Sequence, residues 1–254
     1  MELQPIVFLH GFMGSGADWR EICELLAEDY YCVCPDLPGH GANTVRDFEA
    51  QLALAGLASE LQALCAGLGP KAPFVVGYSL GGRVALHAAL LQPSRMKALV
   101  LESASPGLEG ALEREARLAT DDARSAALLA DGLPAFTKSW YATPLFQSLH
   151  RYPMLLAKLQ AARAANDARW LAKVVRELSP GRAASGWAGL ASIQTRTLLV
   201  AGALDVSYSA IVQRMAASMP TATMLIMPDA GHNVHLEEPV AYAQALRKFM
   251  ASCV

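Results

Sequence analysis

The residues with the clearest chemical meaning are Gly77-Tyr78-Ser79-Leu80-Gly81. The apolar run Phe74–Val76 precedes them and a helical pattern, Leu80–Leu91, follows. A serine at a strand-to-helix turn stands exposed beside a helix N-terminus, where backbone N–H groups and the helix dipole favour negative charge. The flanking glycines let the chain turn tightly and approach itself closely. The pattern G-x-S-x-G is common by chance; its position between a strand and a helix makes it specific. A serine hydroxyl is unreactive at its free pKa, so it needs a base within hydrogen-bond reach and a group that orients the base.

Six histidines are candidates for the base: His10, His40, His87, His150, His232 and His235. His87 lies two turns into the helix after Ser79 and reads as packing. His150 falls in a long helical stretch, and His10 and His40 belong to His-Gly turns near the start. His232, in Asp229-Ala230-Gly231-His232-Asn233, follows the last strand pattern, where a loop can carry imidazole over Ser79. His235 reads as polar filler. The orienting acid is read as Asp205, after the strand Thr197–Val200; Glu102, at the end of an earlier strand, is its rival, and Asp229 is too near His232 in sequence. Two backbone N–H groups are expected to hold a developing oxyanion: that of Leu80, and that of Phe12 in the turn His10-Gly11-Phe12.

The elements that must position these groups alternate. Ile6–Leu9, Tyr31–Cys34, Phe74–Val76, Ala98–Leu101, Thr197–Val200 and Thr223–Met227 read as strands. Ala17–Ala27, Phe48–Ala66, Leu80–Leu91, Ser209–Ala217 and a helix from about Pro239 to Met250 read as the helices between and after them. That alternation predicts an α/β fold with a mostly parallel sheet. Between Pro106 and Ala188 only helical signals occur, among them Leu112–Leu129, Met154–Ala165 and Arg169–Leu178. Residues 106–188 are therefore read as a helical lid, with 1–105 and 189–254 as the core. An insertion after a mid-sheet strand sits over the carboxyl ends of the strands, where open α/β sheets bind ligands.

Charge sharpens this division. The formal net charge is −2, so no global field recruits nucleic acid. Residues 106–188 carry 11 Lys/Arg against 8 Asp/Glu, and the rest carries 10 against 15. A mildly basic lid suits an anionic ligand, although a solvated helical surface has the same composition. The five cysteines, Cys23, Cys32, Cys34, Cys65 and Cys253, have no metal-ligand spacing. Cys32 and Cys34 read as strand core, and an odd count without a framework suggests a reducing compartment. Met1 runs straight into a strand pattern, and no apolar run reaches the ~18 residues of a membrane span. The expectation is a cytoplasmic protein.

The order Ser, Asp, His is that of the α/β hydrolases. Within them the chain resembles the MenH family, the 2-succinyl-6-hydroxy-2,4-cyclohexadiene-1-carboxylate synthases of menaquinone (vitamin K2) biosynthesis. The resemblance lies first in Val76-Gly77-Tyr78-Ser79-Leu80-Gly81-Gly82-Arg83-Val84-Ala85, where Arg83 takes a place that general esterases often give to a small or apolar residue. Phe8–Gly14 and Asp36–Gly41 are similar but shared more widely. Glu102–Leu108 with Glu113-Arg114 and Arg117, Trp140-Tyr141 with Pro144-Leu145-Phe146, Leu178–Gly181, and Gly231-His232-Asn233 with His235 are closer to this family. One departure stands out: the family often carries Gln-Pro before an aromatic where this chain has Ala183-Ala184-Ser185-Gly186-Trp187, so the edge of the lid is expected to differ.

The resemblance implies an α/β-hydrolase fold and a triad of Ser79, Asp205 and His232. It implies substrate contacts from Tyr78, Arg83, Arg117, Trp140 and Arg163, with Arg114 or Arg124 in place of Arg117 and Arg169 in place of Arg163 if the lid register is shifted. The implied activity is a carbon–oxygen lyase that eliminates pyruvate from a tricarboxylate, with no cofactor or metal, no membrane or nucleic-acid partner, and a monomeric enzyme. The planar fork of arginine binds carboxylate bidentately and stays charged, which suits such a substrate. The alternative is a serine hydrolase cleaving an ester, thioester or carbon–carbon bond through an acyl-Ser79 intermediate, because the same triad serves both chemistries.

Overall fold

The computed structural model describes residues 3–44, 47–92 and 95–253; Met1, where the sequence was read as running into a strand, lies outside them. Six strands, β1 (Gln4–Leu9), β2 (Tyr30–Val33), β3 (Phe74–Tyr78), β4 (Ala98–Glu102), β5 (Thr197–Gly202) and β6 (Ala222–Met227), form one sheet in the order β2-β1-β3-β4-β5-β6. Every pairing is parallel. Strands β1, β3, β4 and β5 are apolar along nearly their whole length because helices cover both faces. One face packs against α2 (Leu54–Gly67), α3 (Leu80–Leu91) and α7 (Val206–Ser218); the other packs against α1 (Arg20–Leu26) and α9 (Pro239–Ala251).

The strand order reverses at β1, which has β2 on one side and β3 on the other. Crossovers leave such a point in opposite directions, and their separation opens a crevice at the carboxyl ends of the strands. The turn after β3 carries Ser79 and the turn after β1 carries Phe12, so both border this crevice.

The insertion after β4 is helical: α4 (Ala111–Tyr141), α5 (Pro153–Ala164) and α6 (Ala168–Glu177), with a 3-10 segment at Pro144–Arg151. Helix α4 extends past the predicted Leu129, through a kink where Gly132 takes φ 77° and Pro134 follows. Small apolar clusters seat the insertion: Leu128, Leu133, Phe136 and Leu171 pack with Met13, and Tyr141, Phe146, Leu149 and Leu159 with Leu236. Its ends meet where Gly186 N–H donates to the Pro106 carbonyl at 2.7 Å. At the divergent Ala183–Trp187 edge, the Trp187 indole donates to the Gly107 carbonyl at 3.1 Å. Among the described residues no helix is long and apolar enough to cross a membrane.

Other helix bounds shift. Helix α2 starts at Leu54, not Phe48, because Ala53 is extended at φ −137° and ψ 141°. The chain before it is taken by tertiary contacts: Leu52 N–H donates to Glu177 at 2.8 Å, and Phe48 lies edge-on to Trp170 at 4.9 Å. The first predicted helix divides into a 3-10 turn, Gly16–Trp19, and α1. A short helix missed in sequence, α8 (Val234–Glu237), follows His232.

Glycine permits a close crossing under the site. A Cβ on Gly202, at the end of β5, would overlap the carbonyls of Ala230 and Gly231. Gly202→Ala is expected to cost about 1–3 kcal/mol in urea unfolding. Gly56→Ala on α2, where a Cβ meets nothing within 4 Å, is expected to stabilise by up to about 1 kcal/mol.

Candidate active site

Ser79 sits between β3 and α3 with φ 49° and ψ −107°, a conformation costly for any residue with a Cβ. The surroundings hold it there. Its N–H donates to the Glu102 carbonyl at 2.9 Å, and its carbonyl accepts the Arg83 N–H at 3.0 Å. Gly77 and Gly81 lie so close that a Cβ on Gly77 would come within 2.6 Å of the Gly81 carbonyl oxygen. Among the described residues the other non-glycine positive φ values belong to Met13 (62°) and Ser103 (46°), which follow β1 and β4 at the same end of the sheet.

Three loops complete the triad. His232 Nε2 lies 3.3 Å from Ser79 Oγ, within loose hydrogen-bond reach. Its Nδ1–H donates to Asp205 Oδ2 at 2.7 Å, and both side chains are buried. Asp205 caps α7: its Oδ1 accepts the Tyr208 N–H at 3.1 Å. That bond turns the other oxygen toward His232, and the carboxylate keeps the second ring nitrogen free to accept a proton. Leu80 and Phe12 line the cavity beside Ser79. The Phe12 turn is pinned to the serine turn by Gly81 N–H donating to the His10 carbonyl at 3.1 Å.

The remaining histidines are structural. His10 bridges the Gly11 carbonyl and the Leu37 N–H. His40 bonds the Pro38 carbonyl, and burial pushes its pKa down to about 3. His87 is pushed down to about 4 by burial and by Arg83, and His150 bonds the Tyr141 carbonyl. His235 binds Glu102, so the rival acid serves a different histidine. The Asp229 carbonyl accepts Arg151. Cys23 Sγ and Cys34 Sγ lie 3.4 Å apart, and both residues pack with Cys32 against the core on the α1 side.

A cavity of about 350 Å³ opens over Ser79, lined by Tyr78, Arg83, Arg117, Arg124, Trp140 and Arg163 together with Asp18 and Asp121. Arg114 is absent from it and donates to the Leu108 and Glu109 carbonyls; Arg169 lies over the Phe48 ring. The four lining guanidiniums differ in their partners. Arg163 is spent inside the protein: Nη1 and Nη2 donate to Asp18 at 2.8 and 2.7 Å, and Nε to Tyr141 Oη at 3.3 Å. Its charge therefore does not require an external anion. Burial alone would lower the Arg163 pKa and raise that of Asp18; the pairing outweighs it and moves both the other way. Arg117 and Arg124 share Asp121, at 2.7 and 2.8 Å. The i, i+3 and i, i+4 spacing could have revealed this group, whereas nothing local ties Asp18 to Arg163.

Arg83 is different. It is 9% exposed, its Nη1 donates to the Leu178 carbonyl at 2.9 Å, and its Nη2 has no hydrogen-bond partner among the described residues. Burial, reinforced by the charge of Arg117, holds its pKa down to about 10, so it remains protonated at neutral pH. An unpaired donor on a buried cation costs at least about 1–3 kcal/mol, which a carboxylate would recover. Tyr78 and Tyr208 complete the wall, their rings 5.4 and 4.6 Å from the His232 ring. Trp140 stacks on Phe136 and underlies Arg124.

Asp205→Asn retains the shape but loses the anion that selects the His232 tautomer, so labelling of Ser79 by a fluorophosphonate is expected to slow by on the order of 10³-fold. Asp18→Asn leaves Arg163 buried without a counter-charge, and urea unfolding at pH 7 is expected to show a loss of about 3–5 kcal/mol. Because the Asp18 pKa is depressed, this contribution is present above the ordinary value of 3.8 and is lost as pH falls through the folded value. Melts between pH 7 and 5 should therefore leave the difference between parent and variant intact.

The model of the Alpha/beta hydrolase family matches residues 6–245. The 2-succinyl-6-hydroxy-2,4-cyclohexadiene-1-carboxylate synthase of Klebsiella pneumoniae subsp. pneumoniae is 32% identical, over 97% of this chain and 94% of its own. Protein PHYLLO, chloroplastic, of Arabidopsis thaliana is 34% identical over 96% of this chain, which spans 15% of that much longer protein. The solved structure of MenH from S. aureus superposes with a TM-score of 0.96 at 28% identity, covering 100% of this chain and 96% of that one. A thermophilic esterase from Thermogutta terrifontis, at 22% identity and a TM-score of 0.86 over 98% and 90% of the two chains, shares the fold alone. With the family model over residues 6–245 and relatives above 30% identity over nearly the whole chain, the chain belongs to the alpha/beta hydrolase family and, within it, to the 2-succinyl-6-hydroxy-2,4-cyclohexadiene-1-carboxylate synthases.

Proposed function

We propose that this protein is a lyase of menaquinone biosynthesis that eliminates pyruvate from 2-succinyl-5-enolpyruvyl-6-hydroxy-3-cyclohexene-1-carboxylate, giving 2-succinyl-6-hydroxy-2,4-cyclohexadiene-1-carboxylate. It acts as a cytoplasmic monomer on this free tricarboxylate and needs no cofactor or metal. The observation that carries the substrate class is Arg83. One helical turn from Ser79, it lines the cavity and carries a buried, charged N–H that has no partner among the described residues. An apolar ester would leave that donor unmet, whereas a carboxylate satisfies it with a charge-assisted bond.

The chemistry follows from the triad. His232 Nε2 accepts the Ser79 hydroxyl proton as Ser79 Oγ removes a proton from the ring carbon next to the succinyl carbonyl. The resulting enolate oxygen takes N–H bonds from Leu80 and Phe12. Its electrons move through the ring and break the bond to the enolpyruvyl oxygen. The leaving group departs as the enolate of pyruvate and is protonated to pyruvate. Arg83 and Arg117, with Arg124 beside them, hold carboxylates so that the reacting proton faces Ser79. Arg163 supports this wall from its Asp18 pair, and Tyr78 and Trp140 flank the ring.

Pyruvate release followed with a coupled dehydrogenase tests the assignment. Ser79→Ala is expected to lower kcat by about 10²–10⁴-fold. Arg83→Gln, which removes one charged contact, is expected to lower kcat/KM by on the order of 10–100-fold, mainly through KM. Pyruvate release at the parent rate by Ser79→Ala would falsify the proposal. Accumulation of an acyl adduct on Ser79 during turnover, seen by mass spectrometry, would replace it with the hydrolase chemistry.

A further inference from the structure

Glu102 ends β4 with no exposed surface, and the elimination makes no use of its carboxylate. It is nevertheless bonded toward both halves of the reacting pair. Its carbonyl accepts the Ser79 N–H at 2.9 Å. Its Oε1 accepts the backbone N–H of His235 at 3.1 Å and the ring Nδ1–H at 2.8 Å. His235 lies on α8, three residues past His232, and its ring stacks on Trp19 with centroids 4.1 Å apart. The next residue, Ser103, is held at φ 46° with its N–H on the Val200 carbonyl at 2.8 Å, so the end of β4 is firmly placed.

We infer that Glu102 is a positioning residue that sets the separation of Ser79 Oγ and His232 Nε2, by binding the serine turn through its carbonyl and the histidine loop through its carboxylate. The two acids of the site then divide the work. Asp205 ties the His232 ring to the loop after β5 and selects its tautomer. Glu102 ties the segment after β6, which carries both His232 and His235, to β4, the strand beside the serine turn. With both anchors on one buried residue, turn and loop cannot drift apart independently, and a misplacement of about 1 Å is enough to cost on the order of 10²-fold in rate. The inference rests on Ser79 and His232 acting as the base pair.

The test measures fluorophosphonate labelling of Ser79, together with kcat and KM for pyruvate release, on the full chain. Glu102→Leu is expected to slow both labelling and kcat by at least about tenfold, with KM held within about threefold. Glu102→Gln should recover most of the loss, because its amide oxygen still accepts both His235 donors. His235→Phe keeps the stack on Trp19 but removes the ring donor and should reproduce the fall; His235→Asn, whose amide N–H takes the place of Nδ1–H, should restore it. If Glu102→Leu does not fold, the two His235 variants decide. Parent-like labelling and kcat in the folded variants, or an effect confined to KM, overturns the positioning role and leaves the triad standing. Failure of the unaltered chain to label at Ser79 overturns the triad and the positioning role together.

Discussion

The left-handed backbone of Ser79 is the constraint from which the site is built. A residue with a Cβ stays in that region only where its neighbours over-determine it. Here they are the Glu102 carbonyl on one side, the close glycine contacts on the other, and α3 starting at the next residue. The same turn points the hydroxyl out of the sheet, places the Leu80 N–H at a helix start, and puts Arg83 one turn up the helix. Ser79, the Leu80 N–H and the Arg83 side chain are thus all placed by a single strained connection at the switch point of the sheet.

Electrostatics then separates arginines that look alike. Four guanidiniums line the cavity against the carboxylates of Asp18 and Asp121. The Arg163–Asp18 pair is bidentate and buried, and it fastens α5 of the insertion to the turn after β1. Such a pair adds little net stability over apolar packing, yet losing one partner is expensive, so it specifies where the insertion sits. Arg117 and Arg124 are half-neutralised by their shared aspartate and remain partly exposed. Only Arg83, among these four, is buried with a donor unmet. Arg83 therefore carries a cost that a hydrogen-bond acceptor reaching its Nη2 would remove.

Much of this was legible in the amino-acid sequence because the relevant signals are local. The apolar run, the Gly-x-Ser-x-Gly turn and the helical pattern after it identify Ser79, Leu80 and Arg83, since all lie within a few residues of one turn. Asp205 and His232 are legible because each follows a strand whose place in the alternation is visible. Helix α2 was read too long for a physical reason: Phe48 and Leu52 continue a helical apolar spacing, but Trp170 and Glu177 of the insertion engage them first. Local propensity is a weak prior against such contacts.

What the sequence determined by itself is the set of reactive groups: a serine on a tight strand-to-helix turn, a histidine and an acid after later strands, and an arginine beside them. These depend on short-range geometry that the chain carries wherever it folds this way. The tertiary structure alone decided the pairings. Asp18 meets Arg163 across 145 residues of chain and removes it from the set of free cations. Glu102 meets His235 across 133, leaving His232 to Asp205. Partners so far apart are chosen by the packing of the sheet and the insertion, because a polar contact of about 3 Å has no signature in the spacing of residues that only the folded core brings together.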